Sequence, residues 1–163
     1  MTIEGLKKIV SIKASMGKGL SELVGQATPF VGLTPEDRPL VELPSSIDPY
    51  WFVGFADAES CFFINIKAGI KATYIVSLVF SLCQHSRDSS LFDRFSELLG
   101  CGKKYEESKK PVVRFRLENF PNIVRVLIPF FIKYPLLSAK RLDFEDFCRA
   151  AALINNKGHH LKA

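Results

Sequence analysis

The chain of 163 residues carries a formal net charge of +5, and 47% of its residues are hydrophobic. This composition is typical of a folded globular protein and excludes a disordered chain, while the length fits one domain with an extension. No apolar run approaches the ~18 residues of a membrane-spanning helix, and residues 1–12 lack a signal-peptide pattern. We therefore expect an intracellular or organellar protein that has no membrane partner.

Residues 1–46 differ in composition from the rest of the chain. Apolar residues interleaved with lysines predict an amphipathic helix over residues 3–16, and GLSEL at 19–23 begins a second helical turn. Four prolines between residues 27 and 46 then indicate an extended linker. We predict an amino-terminal helical arm and linker at 1–46, followed by a single domain at 47–163.

The domain at 47–163 shows helical and strand periods in a clear order. Asp48 as N-cap and Pro49 at the first helical position begin a helix that continues to about Ala58. The later periods predict strands at 60–67 and 73–83, a helix at 87–99, strands at 103–107 and 112–118, a helix at 119–135 that bends at Pro129, and a final helix at 138–158. The order α-β-β-α-β-β-α predicts an α+β domain, in which helices cover one face of a four-stranded antiparallel, saddle-shaped sheet.

The side chains of each predicted strand alternate between the two faces of this sheet. The positions expected in the core are Phe62, Ile64, Ile66, Val76, Leu78, Phe80, Leu82, Val113, Phe115 and Leu117, with Leu142, Phe144, Phe147, Ala151 and Ile154 on the apolar side of the last helix. The positions expected on the uncovered face include Asn65, Lys67, Ser77, Val79, Ser81, Arg114 and Arg116. Residues 101–116 contain six basic side chains against two acidic ones, as a polyanion-binding surface needs. Such a saddle could lie along a nucleic-acid groove, and an ordinary solvated sheet face explains the alternation equally well.

The first helix of the domain has small residues on one side and two acids at its end. Gly54 and Ala58 are four residues apart, a spacing that lets another backbone approach closely. The bulky residues around them leave no polar side, so we expect the helix to be buried on every side, partly against a partner. Asp57 and Glu59 lie at the negative end of the helix dipole, where a hard divalent cation would neutralise a carboxylate. Capping of a loop or pairing with a lysine is the alternative for either acid.

This helix also carries a resemblance to a known family. FVGFADAES, residues 52–60, resembles the nine-residue motif of the LAGLIDADG homing endonucleases, with Ser60 in place of the final glycine. The segments CFFINIK, VSLVFSLCQHSRD, LLGCGK, FPNI and INNKGHHL resemble the fungal organellar, intron-encoded branch of that family. The resemblance covers essentially the whole chain, which is similar to one repeat, the second, of a two-repeat member.

The resemblance implies the homing endonuclease fold and a role for each residue of the motif. Glu59 is the expected ligand of Mg²⁺, or of another hard divalent cation such as Mn²⁺ or Ca²⁺. Gly54 and Ala58 are expected at a dimer interface, and Asp57 is expected to be a structural or capping acid. The implied reaction is metal-dependent hydrolysis of both strands of double-stranded DNA.

Further site residues follow from the same resemblance. A basic residue is expected to support catalysis; Lys103 and Lys104 are the candidates, and Tyr105 fits the same place. Gln84 is expected near the active site, with a turn-forming role as the alternative. Asn119 stands where relatives often carry a second basic residue. The side chains expected to contact bases and phosphates are Asn65, Lys67, Ser77, Val79, Ser81, Arg114 and Arg116.

A single motif supplies half of an active site, so the implied enzyme acts as a dimer. Pairing with a second copy implies a near-palindromic target, and a separate first-repeat half is the other candidate partner. The resemblance also implies a mitochondrial location. Two alternative functions stay open on the same fold: an intron RNA maturase, whose partner is the intron RNA, and a catalytically silent DNA-binding module.

Overall fold

The computed structural model describes residues 2–17, 19–39, 41–69 and 74–156. The chain divides into two compact units, Met1–Glu42 and Leu43–Ala163. Residues 70–72 of the connection between the first two predicted strands, the predicted strand start at residue 73 and the predicted helix end beyond 156 lie outside the described residues. None of the described helices is long and apolar enough to cross a membrane.

The first unit contains helices α1 (Ile3–Ser15) and α2 (Glu22–Gly25). The Thr2 hydroxyl caps α1 by accepting from the backbone N–H of Gly5 at 3.2 Å. The hydroxyls of Ser11 and Ser15 donate to the carbonyls of Thr34 and Glu36 at 2.5 and 2.7 Å. These bonds hold the extended segment that follows α2 beside α1. The amphipathic helix expected at 3–16 is therefore confirmed, and the domain boundary at residue 46 stays a prediction.

The second unit has the predicted element order. Its elements are α3 (Pro49–Glu59), β1 (Ser60–Ala68), β2 (Tyr74–His85), a 3₁₀ turn (Ser86–Asp88), α4 (Ser89–Leu99), β3 (Lys103–Glu106), β4 (Val112–Leu117), α5 (Phe120–Asn122), a π-helical segment (Ile123–Leu127), α6 (Ile128–Lys133) and α7 (Lys140–Asn155). The strands form one antiparallel sheet in the order β1-β2-β4-β3. Helices α3, α4 and α7 pack on the strands. The predicted α+β fold is confirmed.

A cluster of phenylalanine rings joins the helices to the sheet. The ring of Phe62 on β1 lies 5.1 Å from that of Phe80 and 5.6 Å from that of Phe131. It also meets Phe144 and Phe147 of α7 at 5.5 and 5.3 Å. Burying an aromatic ring of this kind contributes roughly 2 to 3 kcal/mol of hydrophobic free energy. The cluster thereby fixes the beginning of β1, which is the end of the strand that adjoins α3.

Two positions expected in the core of the sheet are exposed. Ile64 and Ile66 are 43% and 66% exposed, although they share the face of Phe62. The helices cover this face near Phe62, where α6 and α7 contact the strand, and the later residues of β1 extend past that cover. The prediction that Ile64 and Ile66 pack on helices is therefore wrong, whereas Leu78, Phe80 and Leu82 are buried as predicted.

Two positions expected on the uncovered face are buried. Val79 and Ser81 are only 2% and 7% exposed, so the prediction that both are exposed is wrong. Both lie on the central strand β2, and their cross-strand neighbours Phe63 and Arg116 are much larger. Small side chains between large ones lose most of their access to solvent even on the open face of a sheet.

The last two helical regions also depart from the expected pattern. Leu142 is exposed because Phe144, two residues later, faces the core, and residues two apart do not share a helix face. The helix predicted to bend at Pro129 contains a π-helical segment just before that proline, where the N–H of Ile128 donates to the carbonyl of Ile123, and the bend itself stays a prediction. Pro129 has no N–H to donate, so the irregular hydrogen bonding precedes it.

Gly102 is the glycine that the core most strictly requires. Its φ is +98°, and a Cβ atom there would lie 2.1 Å from Cζ of the fully buried Phe115 ring. We predict that Gly102→Ala lowers the free energy of unfolding by about 3 kcal/mol, from strain and overpacking together. Gly100→Ala should cost only about 1 kcal/mol, because Gly100 shares a positive φ but faces open space. Urea denaturation measures both, and equal losses would contradict the role given to Phe115.

Candidate active site and nucleic-acid interface

Helix α3 begins at a strong cap and has one exposed side. Asp48 Oδ1 accepts from the backbone N–H groups of Tyr50 and Trp51 at 2.8 and 3.0 Å. Three residues of the helix, Phe52, Val53 and Ala56, are buried in the core. Tyr50, Trp51, Gly54 and Ala58 are exposed. The helix is therefore not buried on every side within one chain; its exposed face has two small residues at helical spacing, bordered by aromatic side chains.

The Asp57 carboxylate is bound to the loop that precedes α7. Its Oδ2 accepts from the backbone N–H groups of Leu137 and Ser138 at 3.1 and 2.9 Å, and its Oδ1 accepts from the Ser138 hydroxyl at 2.5 Å. Partial burial alone would raise the pKa of Asp57. The hydrogen bonds from Ser138 and Leu137 and the charge of Lys140 outweigh burial, so the pKa lies below its ordinary value. The prediction that Asp57 is a structural acid is confirmed.

Lys140 joins the same junction and was not found from the sequence. Its ammonium group donates to the carbonyl of Ala58 at 3.4 Å and also to the carbonyl of Ser60. These carbonyls flank Glu59, at the negative end of the helix dipole, where a cation is stabilising. The only signal for this role in the sequence was a lysine at the start of the final helix. Because 80 residues separate Lys140 from Ser60, no local pattern could reveal the contact.

Glu59 differs from Asp57 because its carboxylate is available. The residue is exposed at the last position of α3, and no hydrogen bond or ion pair of its carboxylate is found among the described residues. Nor do three or more His, Cys, Asp or Glu side chains come together as a metal site anywhere in the described ranges. One chain thus supplies a single free carboxylate at this point, which is an incomplete ligand set for a divalent ion.

Neither predicted catalytic lysine contacts Glu59 in the described part of the chain, and the catalytic role of each stays a prediction. Lys104 forms ion pairs with Asp93 of α4 at 2.7 Å and with Glu106 at 3.9 Å, on the helix-covered side of the sheet. Lys103 lies on the open face, in the cross-strand row Cys61, Ser81, Arg116, Lys103. Three strand spacings of about 4.8 Å put its backbone roughly 14 Å from Cys61. Lys140 is the cation at the end of α3.

Gln84 forms a local hydrogen bond. Its Oε1 accepts from the backbone N–H of His85 at 3.0 Å, at the end of β2. This bond is the one expected of a turn-forming role. The proximity of Gln84 to the active site in the complete enzyme stays a prediction.

The open face of the sheet carries most of the predicted DNA contacts. Lys67 is exposed, and Asn65, Ser77, Arg114 and Arg116 are half-buried. Both arginines are paired, Arg114 with Glu107 at 2.8 Å and Arg116 with Glu118 at 2.7 Å. Val79 and Ser81 lie on the same face but are buried in the free chain. Contact of DNA with each of these residues stays a prediction.

Comparison with known proteins identifies the family. A model of the family described as LAGLIDADG endonuclease matches residues 52–151. The chain is 37% identical, over 98% of its length, to probable intron-encoded endonuclease 3 of Neurospora crassa, of which it covers 30%. It is 32% identical, over 97% of its length, to probable intron-encoded endonuclease 2 of the same organism, of which it covers 36%.

Solved structures give the same result. I-SmaMI bound to cleaved DNA and I-LtrWI bound to target DNA each match with a TM-score of 0.88 and 36% identity, over 97% of this chain and 53% of theirs. I-SmaMI is also known bound to uncleaved DNA in the presence of calcium ions. The chain belongs to the LAGLIDADG endonuclease family, and it spans about a third of these curated relatives and half of these solved ones.

Replacing Asp57 tests the junction between α3 and α7. Asp57→Asn should lower the free energy of unfolding by about 1 to 2 kcal/mol at pH 7, because the charge-assisted hydrogen bonds are lost. Asp93→Asn is the matched control. It breaks an exposed ion pair with Lys104 and should cost less than about 1 kcal/mol.

The stability difference between the wild type and Asp57→Asn should also depend on pH, and the lowered pKa of Asp57 sets the direction of that dependence. Because the folded-state pKa of Asp57 is lowered from 3.8, its stabilisation is present above that value and disappears as pH falls through the lowered pKa. The stability difference between wild type and Asp57→Asn should therefore be constant near neutral pH and shrink below pH 4. Urea denaturation at each pH measures it, and a difference that grows on acidification would contradict the assignment.

Proposed function

We propose that this chain is one half of a site-specific double-stranded DNA endonuclease. The observation that carries the proposal is the placement of an exposed glutamate, Glu59, where a half-exposed motif helix meets an open sheet face with basic side chains. An antiparallel sheet can enter the major groove of DNA. The glutamate would then lie beside the sugar-phosphate backbone, where a hydrolytic reaction needs it. The DNA-bound structures of I-SmaMI and I-LtrWI support this proposal.

A divalent metal ion, Mg²⁺ in particular, is the cofactor we propose. The free Glu59 carboxylate is a hard oxygen ligand that fits such an ion, with the remaining ligands left to DNA phosphates, water and the partner half. When bound, the ion supplies stabilisation of charge on the attacking and leaving oxygens. Glu59 would hold it, and Lys140 would keep the backbone on both sides of Glu59 in place through the carbonyls of Ala58 and Ser60.

The exposed face of α3 indicates the partner. Outside its own helix, Gly54 has no described atom within 4 Å of the position of an added Cβ, so none of the described neighbours requires a glycine there. Glycine in a helix interior costs about 1 kcal/mol relative to alanine, which close packing of a second helix would offset. A complementary LAGLIDADG half, either a second copy or a separate first repeat, fits this face. The proposed location is the mitochondrion, as for an intron-encoded protein.

The rival functions make different predictions for Glu59. An intron RNA maturase or a silent DNA-binding module does not need a metal ligand, whereas an endonuclease does. No observation on the open sheet face favours RNA over DNA, and the DNA-bound relatives favour DNA. The endonuclease is therefore the single function we propose.

Replacing Glu59 separates cleavage from binding. We predict that Glu59→Gln abolishes Mg²⁺-dependent cleavage of duplex DNA, a loss of more than about 10²-fold, and leaves DNA binding intact. A randomised duplex library, incubated with the purified chain alone and with an added first-half chain, measures cleavage; a mobility shift measures binding. Glu145→Gln, which removes an exposed acid paired with Arg141 on α7, should leave both unchanged. Retained cleavage by Glu59→Gln would refute the endonuclease proposal.

A bulky residue at Gly54 tests the partner face. Because an added side chain meets open space in the single chain, Gly54→Leu should leave the fold intact or stabilise it by about 1 kcal/mol. Association with the second half, measured by analytical ultracentrifugation, should be lost together with cleavage. Ala152→Leu adds the same kind of bulk to an exposed position of α7 and should change neither. Normal association of Gly54→Leu would exclude α3 from the interface.

A further inference from the structure

The two arginines on the open face of β4 are each paired with a carboxylate on that same face. Arg114 Nε donates to Glu107 Oε1 at 2.8 Å, and Arg116 Nη2 lies 2.7 Å from Glu118 Oε1. All four side chains are between about one third and one half exposed. The pairs therefore lie at the surface that would meet DNA and are not buried structural pairs.

Each pair engages one nitrogen of the guanidinium group. Arg114 uses Nε and Arg116 uses Nη2, and a guanidinium has five N–H donors in a rigid plane. The carboxylate therefore holds the guanidinium group on its own side and leaves further N–H donors available. The hydrogen bond to Glu107 also raises the pKa of Arg114 above its ordinary value, so this arginine stays charged at every physiological pH.

A carboxylate beside an arginine affects its two kinds of DNA contact differently. A phosphate is an anion and is repelled by the neighbouring glutamate, so a phosphate contact needs the pair to open. The O6 and N7 atoms of guanine are neutral acceptors, which a paired guanidinium can approach with its free N–H groups. Phosphate contacts supply most of the non-specific affinity for DNA, and base contacts supply the specificity.

We propose that Glu107 and Glu118 are specificity-determining residues. They hold the guanidinium groups of Arg114 and Arg116 for base edges and oppose their use on the phosphates of non-target DNA. The inference rests on the proposed function as a DNA endonuclease, and it adds two acidic residues to the machinery of target choice. It also explains why acids lie among the basic residues of a DNA-binding face.

The test measures the affinity of Glu107→Gln/Glu118→Gln for two duplexes, a random-sequence duplex and the duplex selected in the cleavage library. Relative to the wild type, the double variant should bind the random duplex roughly three- to tenfold more tightly. Its slope of log affinity against log salt concentration should be steeper by about 1 to 2. Affinity for the selected duplex should rise less, so the ratio of the two affinities should fall by about threefold or more.

The matched control is Glu97→Gln/Glu145→Gln. It removes two exposed carboxylates that pair with Arg94 on α4 and Arg141 on α7, so the change in net charge is the same. The control should leave the specificity ratio and the salt slope close to those of the wild type. Circular dichroism should show that both variants keep the fold.

Three results would overturn the inference. An unchanged ratio in Glu107→Gln/Glu118→Gln would remove the specificity role, and an equal change in the control would reduce the effect to net charge. Both results leave the endonuclease proposal standing. Failure of the wild type, alone and with a first-half chain, to bind any duplex would overturn the proposed function and this inference together.

Discussion

The junction between α3 and β1 is the constraint on which the rest of the site depends. Asp57 binds the loop before α7, and Lys140 binds the carbonyls on both sides of Glu59. These contacts fix the point at which the helix ends, so that Glu59 is exposed at the margin of the open sheet face. The two acids of the motif therefore have separate tasks. Asp57 accepts hydrogen bonds from the backbone of the loop before α7, whereas Glu59 is exposed and its carboxylate forms no hydrogen bond or ion pair with the described residues.

The sheet faces two different environments, and its chemistry follows from that division. On the covered face, the phenylalanine cluster around Phe62 and Phe80 ties β1 and β2 to the helices. On the open face, Arg114 and Arg116 each lie beside a carboxylate. A sheet face that carries both basic and acidic side chains attracts DNA less strongly than a purely basic face. The acidic side chains also limit which DNA groups each arginine can contact. In a site-specific enzyme, such restriction is more useful than additional non-specific affinity.

Two features of the described residues support the partner that we propose. On the exposed side of α3, Gly54 has no described neighbour that requires a glycine, and the described part of the chain offers one free carboxylate at Glu59, where a divalent ion needs several oxygen ligands. A second motif helix would cover the first and bring a second carboxylate. The coverage of about half of each DNA-bound relative agrees with a chain that supplies one side of a two-sided site.

The sequence by itself determined the element order, the cap at Asp48 and the motif helix, because helix and strand periods and capping are local properties. The different roles expected for Glu59 and Asp57 came from the family resemblance. The tertiary structure alone decided the rest. Lys140 approaches Ser60 across 80 residues, and no periodicity encodes that approach. Alternation assigned Ile64 and Val79 to the correct faces, but their burial depends on how far the helices extend and how large the cross-strand neighbours are. The pairing of Lys104 with Asp93 likewise required the packing of α4 on β3, because no local pattern places a strand lysine beside that helix.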